Sequence, residues 1–568
     1  MANMFDIMST ANRALIVQQK AVKITGNNIA NVNTPGYSRQ RLNMSSAIPV
    51  NTGLGPMGNG VRAAGVERIY QSFLGVQINN ETQSLGQWQA HKNTIERAET
   101  VFDETGGYGL NQVMSEFWTA WQDLTNNPSG HIQRSILTAK GEVLASTINK
   151  VYHDLQSNQQ EIDAMITETV DEINRYTDQI VDLNLKIIET ESGGYHANDY
   201  RDQRDQVLKG LAELIDINSF EEANGGVAVS VGSGYTLVQG THQNTISTHR
   251  NARDLEDVTW VDPSNNTVTL NDSISAGKLR GWLDTRDQDI RNYLNRLDTM
   301  SQGLMDEVNS LHAAGYGLDG SNGNDFFTGS ATAGGVMDSW LTITAEDGGA
   351  GNVSVSLVAG GTAGAELVTE DPVTGDIRIA IESGVSSRAS IAAQLQGHPG
   401  IAAAVAAAPP DPATTLVTLG TGTDTVLLSG GLSADSIQVN SAIVNDTNLI
   451  AAASGFDTTP GDKPGDNSNA IAIADLQGAL TMSDGTATFS DYYSSLVSDV
   501  GHAVLQADFY YGHQSQMVTQ LENYRESVSG VSIDEEMVNL VKFQNAYQAA
   551  AKVIGTVDEM LQTVMNMF

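Results

Sequence analysis

The chain has 568 residues, a formal net charge of -37 and no cysteine. The missing cysteines exclude a disulfide framework, thiolate chemistry and Cys-based zinc or iron–sulfur sites, and the acid excess speaks against DNA or RNA as a partner. No apolar run reaches the roughly 18 residues of a transmembrane helix, and the leading MANMFDIMSTANRAL lacks the basic-then-apolar pattern of a cleavable signal, so any export would use another route.

The charge is uneven. Residues 1–45 hold Arg13, Lys20, Lys23, Arg39 and Arg41 against Asp6, a net of +4, so the remainder carries -41 of the total. A mildly basic end on an acidic body implies a partner of its own for that end.

In chain order, residues 4–30 read as one amphipathic helix. Met8, Leu15, Val22 and Ile29 recur every seven residues with Ala11 between them, a coiled-coil stripe of modest strength. Gly26 and Asn27–Asn28 weaken it. In NIANVNTPGYSRQ (28–40), Pro35–Gly36 suit the centre of a type II turn, since Pro presets φ and Gly accepts a positive one. Residues 49–65 read as loop or short strands. A helical pattern from about 72 to 128 carries an aromatic-rich face, Phe117, Trp118, Trp121 and Leu124, and ends at Asn127–Pro128. Residues 142–192 contain no Gly or Pro. Ile148, Leu155 and Ile162 step by seven, and after a four-residue stutter so do Ile166, Ile173, Ile180 and Ile187. The spacing predicts a rod of roughly 75 Å.

GGVAVSVGSGYTLVQG, within 218–275, alternates like strands. A helix follows at about 276–314, then the loop GYGLDGSNGNDFF. Residues 329–462 hold two basic residues, Arg378 and Arg388, and segments such as VSVSLV and TLVTL read as strands. They form an inserted β-rich domain or a pair of small ones, and GDKPGDNSN (461–469) leads back. Helix resumes to the end. In SGVSIDEE, Ser532 and Glu535 fit a capping box. The last helix places Met537, Leu540, Tyr547, Ile554, Leu561 and Phe568 on one seam, with Gln544, Ala551, Asp558 and Met565 between them. That seam is weak and needs a partner.

The fold class expected is therefore α+β multidomain, with terminal helices pairing as a coiled coil, a long helical bundle and an inserted β-rich part. The expected division is 1–70 (pairing with 520–568), 71–217, 218–275, 276–328, 329–462, 463–528 and 529–568.

Chemistry-bearing motifs are scarce. DYRDQRDQ spaces Asp199, Asp202 and Asp205 three apart with Arg201 and Arg204 between them, which neutralises a metal site and reads as a solvated helix face. DGSNGND places Ser321, Gly323, Asn324 and Ser330 where a calcium loop needs ligands, Gly and Glu, so it reads as an Asn-Gly turn. There is no HExxH, and VGSGYTLVQG lacks the full dinucleotide fingerprint. No cofactor, metal or catalytic group is expected.

NNIANVNTPGY resembles the N-terminal signature of the rod, hook and hook-associated proteins, the axial family of the bacterial flagellum. ANDYRDQRDQVL (197–208) with GYTLVQG (234–240), LHAAGYGLDGSNGNDFF (311–327) and SGVSIDEEMVNLVKFQNAYQAAAKVI (529–554) resemble the hook-associated proteins of the hook–filament junction. Residues 329–462 match nothing in that pattern. The resemblance implies terminal helices that pair on assembly, outer domains facing solvent, and a ring of identical subunits adapting hook to filament. It implies export through the flagellar type III channel without a cleavable signal, and an extracellular place in the flagellum. The implied partners are further copies of the chain, the hook protein, hook-associated protein 3 and a cytoplasmic chaperone on the C-terminal helix. The implied assembly residues are Leu15, Val22, Asn28, Ile29 and Asn31, then Thr34, Pro35, Gly36, Tyr37 and Arg39. At the other end they are Leu540, Phe543, Gln544, Tyr547, Ile554 and Leu561. Arg39 and Arg41 are expected to pair with carboxylates of a neighbouring subunit. A hook or distal-rod subunit, or a secreted adhesin or peptidoglycan-active enzyme displayed by the insert, stand as alternatives.

Overall fold

A computed structural model of the chain describes residues 2–52, 55–104, 109–251, 253–261, 267–329, 434–455, 465–483 and 485–566, together with the strand backbones between 335 and 429. Helix α1 (Ala2–Ala30) turns at NTPGY into an antiparallel hairpin of β1 (Gln40–Ser46) and β4 (Val61–Arg68), with the short pair β2 (Val50–Thr52) and β3 (Gly55–Met57) towards its tip. The register runs from Gln40↔Arg68 to Ser46↔Val61 and shifts between Asn43 and Met44. Helices α2 (Ser72–Val101), α3 (Leu110–Asn126), α4 (His131–Ser192) and α5 (Asn198–Leu214) follow.

Next come two antiparallel sheets. One orders β5 (Ile217–Glu221), β6 (Val227–Val231), β7 (Tyr235–Gln239) and β8 (His242–Gln243). The other centres β10 (Glu256–Val261) between β9 (Ile246–Arg250) and β11 (Thr267–Thr269). Helix α6 (Lys278–Asp284) runs through a π-turn at Thr285–Asp289 into α7 (Ile290–Ala314).

Strand β12 (Phe327–Thr328) pairs with the distant β20 (Gln438–Val439), so the intervening insert leaves and re-enters side by side. Inside it, β13 (Gly335–Met337), β14 (Leu341–Ala345) and β18 (Ile401–Val405) form one sheet. A second has the order β16 (Leu367–Glu370), β17 (Ile377–Ile381), β15 (Asn352–Ala359), β19 (Asp424–Ser429). VSVSLV lies in β15, while TLVTL and the start of the GDKPGDNSN linker lie outside the described residues. The chain returns through α8 (Ser441–Asn445), α9 (Ser468–Asp475), α10 (Phe489–Ser529) and α11 (Ile533–Met565). The α+β architecture, with its paired ends, long bundle and β-rich insertion, is the one expected.

The return path antiparallels the way out. Along α2 and α10, Gln514 donates to the Glu81 carbonyl (3.1 Å), Trp88 stacks on Tyr510 (4.5 Å between centroids) and Lys92 pairs with Asp508. The head is built on α4, a 62-residue helix about 90 Å long. Its ladder Ile148, Leu155, Ile162, Ile166, Ile173, Ile180 and Ile187 is buried throughout. The helix starts eleven residues earlier than the Gly-free stretch indicates. Gly141 is a notch rather than a stop, because a Cβ there would stand 3.0 Å from both Phe326 Cε1 and Val439 Cγ2. The helical pattern expected over about 72–128 resolves into two helices, broken after Val101. Around α3, Phe117, Trp121, Phe326 and Phe327 are fully buried and pack with centroid spacings of 4.9–6.5 Å. Among the described residues no helix is long and apolar enough to cross a membrane.

Candidate functional site

The stretch 27–40 is the point where both chain ends meet the body. Its turn closes with the Tyr37 N–H donating to the Thr34 carbonyl (3.2 Å), and Gly36 has φ +78°, as a type II turn after Pro35 requires. Asn31 Nδ2 donates back to the Asn27 carbonyl (3.0 Å) and Thr34 Oγ1 to Asn31 Oδ1 (3.1 Å), so the asparagines tie off the end of α1.

Asn28 is 1% exposed and uses its whole hydrogen-bonding capacity. Nδ2 donates to the Gln40 carbonyl (2.9 Å) and to Glu536 Oε2 (3.1 Å). Oδ1 accepts from the Gln40 N–H (3.0 Å) and from the Tyr37 hydroxyl (2.8 Å). Burial first, then Asp199 and Asp202, push the Tyr37 pKa well above the usual tyrosine range, so the hydroxyl stays a donor.

Arg39 joins the other end. Its Nε donates to Glu536 Oε1 (2.7 Å), its Nη1 to Glu535 Oε2 (2.6 Å), and its N–H to the Ser529 carbonyl (2.8 Å). Where a carboxylate of a neighbouring subunit was expected, the acidic first turn of α11 takes Arg39 within the chain. The capping box is half formed for the same reason. Ser532 accepts from the Glu535 N–H, while the Glu535 carboxylate turns to Arg39. Arg41 stands exposed on β1 without an ion-pair partner among the described residues.

The DYRDQRDQ helix is the third wall, and it is not a solvated face. The Ser38 N–H donates to Asp202 Oδ2 (2.9 Å) and Gln40 Nε2 to Asp199 Oδ1 (2.6 Å). Arg68, arriving on β4, bridges Asp202 Oδ1 (2.9 Å) and Asp205 Oδ2 (2.6 Å). Burial raises the pKa of both aspartates against the pull of Arg68. Arg201 grips Glu191 with two parallel bonds (2.7 and 2.8 Å), and Arg204 is buried against Asn184 and the Gly225 carbonyl. A cleft of about 580 Å³ opens between this helix, α4 and the turn, lined by amides such as Asn31, Gln179, Gln203 and Gln206. Among the described residues no cluster of His, Asp and Glu is arranged for a metal.

The remaining expected residues lie along the terminal helices. Asn28 contacts Glu536 at one end, and Ile7 and Ala11 share a groove with Ala550 and Val553 at the other, so α1 and α11 pair antiparallel. The buried line of α1 is Ala11, Val17, Ala21, Thr25 and Asn28. Leu15, Val22 and Ile29 flank it half-buried and Met8 is exposed, so the close approach uses small residues where the heptad put large ones. On α11, Leu540, Phe543, Ile554 and Leu561 are half-buried on the side of the buried Val557. Gln544 and Tyr547 are exposed, and Phe568 lies outside the described residues. Arg68, Asp202 and Glu536 were not singled out by sequence reasoning as site residues. Arg68 has no local signal, and Glu536 reads only as charge at a helix start.

Three family descriptions match the chain. "Flagella basal body rod protein" matches residues 8–37, "Flagellar hook-associated protein FlgK helical domain" 95–327, and "Flagellar basal body rod FlgEFG protein C-terminal" 525–567. Each contributes one wall of the hub. Flagellar hook-associated protein 1 of Bacillus subtilis (strain 168) is 26% identical over 598 residues, covering 100% of this chain and 99% of its own. The protein of that name from Escherichia coli (strain K12) is 28% identical over 571 residues, covering 99% and 100%. The solved structure of the flagellar hook junction protein FlgK from Burkholderia pseudomallei shares the fold, with a TM-score of 0.63 at 17% identity, over 80% of this chain and 100% of that one.

Proposed function

We propose that this chain, which belongs to the flagellar hook-associated protein 1 family, is a structural subunit of the bacterial flagellum that joins hook to filament and performs no catalysis. The observation that carries the reading is the hub: it binds both chain ends at one point while leaving the outer faces of their helices bare. On α11, Ile533, Met537, Val541 and Tyr547 are exposed, with Gln544 between them. On α1, Phe5, Ile7, Met8 and Ile16 are exposed. An apolar stripe of that length marks an interaction surface. Its occupants in this reading are further copies of the chain in a ring.

Leu540, Phe543, Ile554 and Leu561, with Leu15, Val22 and Ile29, hold the helix pair together. Asn28, Asn31, Thr34, Pro35, Gly36, Tyr37 and Arg39 fix its angle to the body. Gln544 and Tyr547 face the next copy, and Arg41 offers it an exposed cation. Hook protein and hook-associated protein 3 are the neighbours on the two sides of the ring. Before export without a cleavable signal, a cytoplasmic chaperone covers the same stripe of the C-terminal helix.

Immunogold electron microscopy of intact flagella with antibody to residues 329–462 tests this. A single cluster where hook meets filament is expected. Label along the hook or rod, or none on flagella, overturns it.

A further inference from the structure

The chain contains three Asn-Gly dipeptides, Asn59–Gly60, Asn224–Gly225 and Asn322–Gly323. Such a pair carries its own reaction. The glycine nitrogen attacks the asparagine Cγ, a new C–N bond closes a five-membered imide, and the side-chain amide leaves as ammonia. Water then opens the imide at one of its two carbonyls, giving aspartate or isoaspartate. The reaction needs a glycine nitrogen free to lose its proton and approach Cγ, and a side chain not held elsewhere.

The fold treats the three pairs differently. The Gly225 N–H donates to the Glu222 carbonyl (3.0 Å), and the Asn224 side chain is held at both atoms, accepting from the Gly226 N–H (2.9 Å) and donating to Glu222 Oε2 (3.2 Å). The Gly323 N–H donates to the Ala313 carbonyl (3.0 Å). At Gly60 the N–H has no hydrogen-bond partner among the described residues, and neither has the Asn59 side chain. The loop is instead held by its carbonyls: Asn59 O accepts from Arg13 Nη1 (3.4 Å) and Gly60 O from the Ala47 N–H (2.8 Å). The two reacting groups are free while the chain around them is pinned.

We infer that Asn59 is a site of spontaneous deamidation in the folded chain and that the fold protects the other two. The position matters because Met57, Gly58 and Asn59 form one wall of an apolar groove of about 450 Å³, opposite Ile7, Ala11 and Val553 of the terminal helix pair. Isoaspartate adds a backbone methylene and a carboxylate at that wall, which unseats the loop from the helices.

The test is incubation of the full chain at mildly alkaline pH, with peptide mapping that counts aspartate and isoaspartate at the three positions. Conversion at Asn59 is expected to run about fivefold faster than at Asn224 or Asn322, whose glycine nitrogens must first give up a hydrogen bond. In denaturing urea the three rates should converge, and Asn59→Gln should remove the early signal. Equal or slower conversion at Asn59 in the native chain overturns the inference. So does the same ranking in urea, which would assign it to sequence and not to fold.

Discussion

The head and the terminal helix pair are both helical, yet they are held by different means. Helix α3 buries eight of its 17 residues, among them Phe117, Trp118 and Trp121, whereas α11 buries two of 33, Glu536 and Val557. Apolar burial at roughly 25 cal/mol per Å² makes the head self-sufficient. The terminal pair has a thin seam of small residues and is fixed at one end by polar bonds. The lesson is that the ends are an unfinished surface, oriented by the hub and completed by other chains.

Breaking the head has the largest expected effect. Phe326→Ala removes the ring at the centre of the aromatic cluster and should cost about 3–5 kcal/mol, read as a lowered thermal midpoint of the purified chain. A change below about 1 kcal/mol would mean that the cluster does not support the head.

Acid should weaken the same head by about 3 kcal/mol. His312 is fully buried, with Nδ1 donating to the Asn324 carbonyl (2.6 Å) and Nε2 accepting from the Ala451 N–H (3.0 Å), so the neutral ring is satisfied on both sides. Burial pushes its pKa down to about 4, helped by Arg134. Because the folded value lies below the unfolded one, the stabilisation is complete above the usual histidine pKa and is lost as pH falls from there to about 4. Denaturant melts across that window should slope for the parent chain and lose this contribution in His312→Asn.

Breaking the clasp is expected to be smaller and local. Glu536→Ala removes one bond each from Asn28 and Arg39 and should weaken the closing of the helix pair by about 2 kcal/mol. Brief proteolysis should then cut within α11 faster, while the thermal midpoint of the head stays put. A head that melts earlier instead would mean that the two regions are not independent.

The readable parts were those with local signatures. The isoleucine ladder of α4 repeats every seven residues, and the NTPGY turn needs no distant partner. The rest depended on pairings far apart in sequence. Arg68 comes from another element to bury Asp202 and Asp205, which by spacing alone read as a solvated face. Gly141 reads as a helix boundary until Phe326 is seen filling its notch. In α11 the heptad is covered only in part: Leu540 and Ile554 are half-buried, while Met537, Gln544 and Tyr547 stay exposed. His312 carried no local signal, since both its partners are backbone atoms of other segments.

The most direct test of the unfinished surface is the double change Met537→Asp, Val541→Asp, at two exposed apolar side chains of α11. The purified variant should melt like the parent, and cells carrying it should not swim. Normal motility with an unchanged melt would contradict the account.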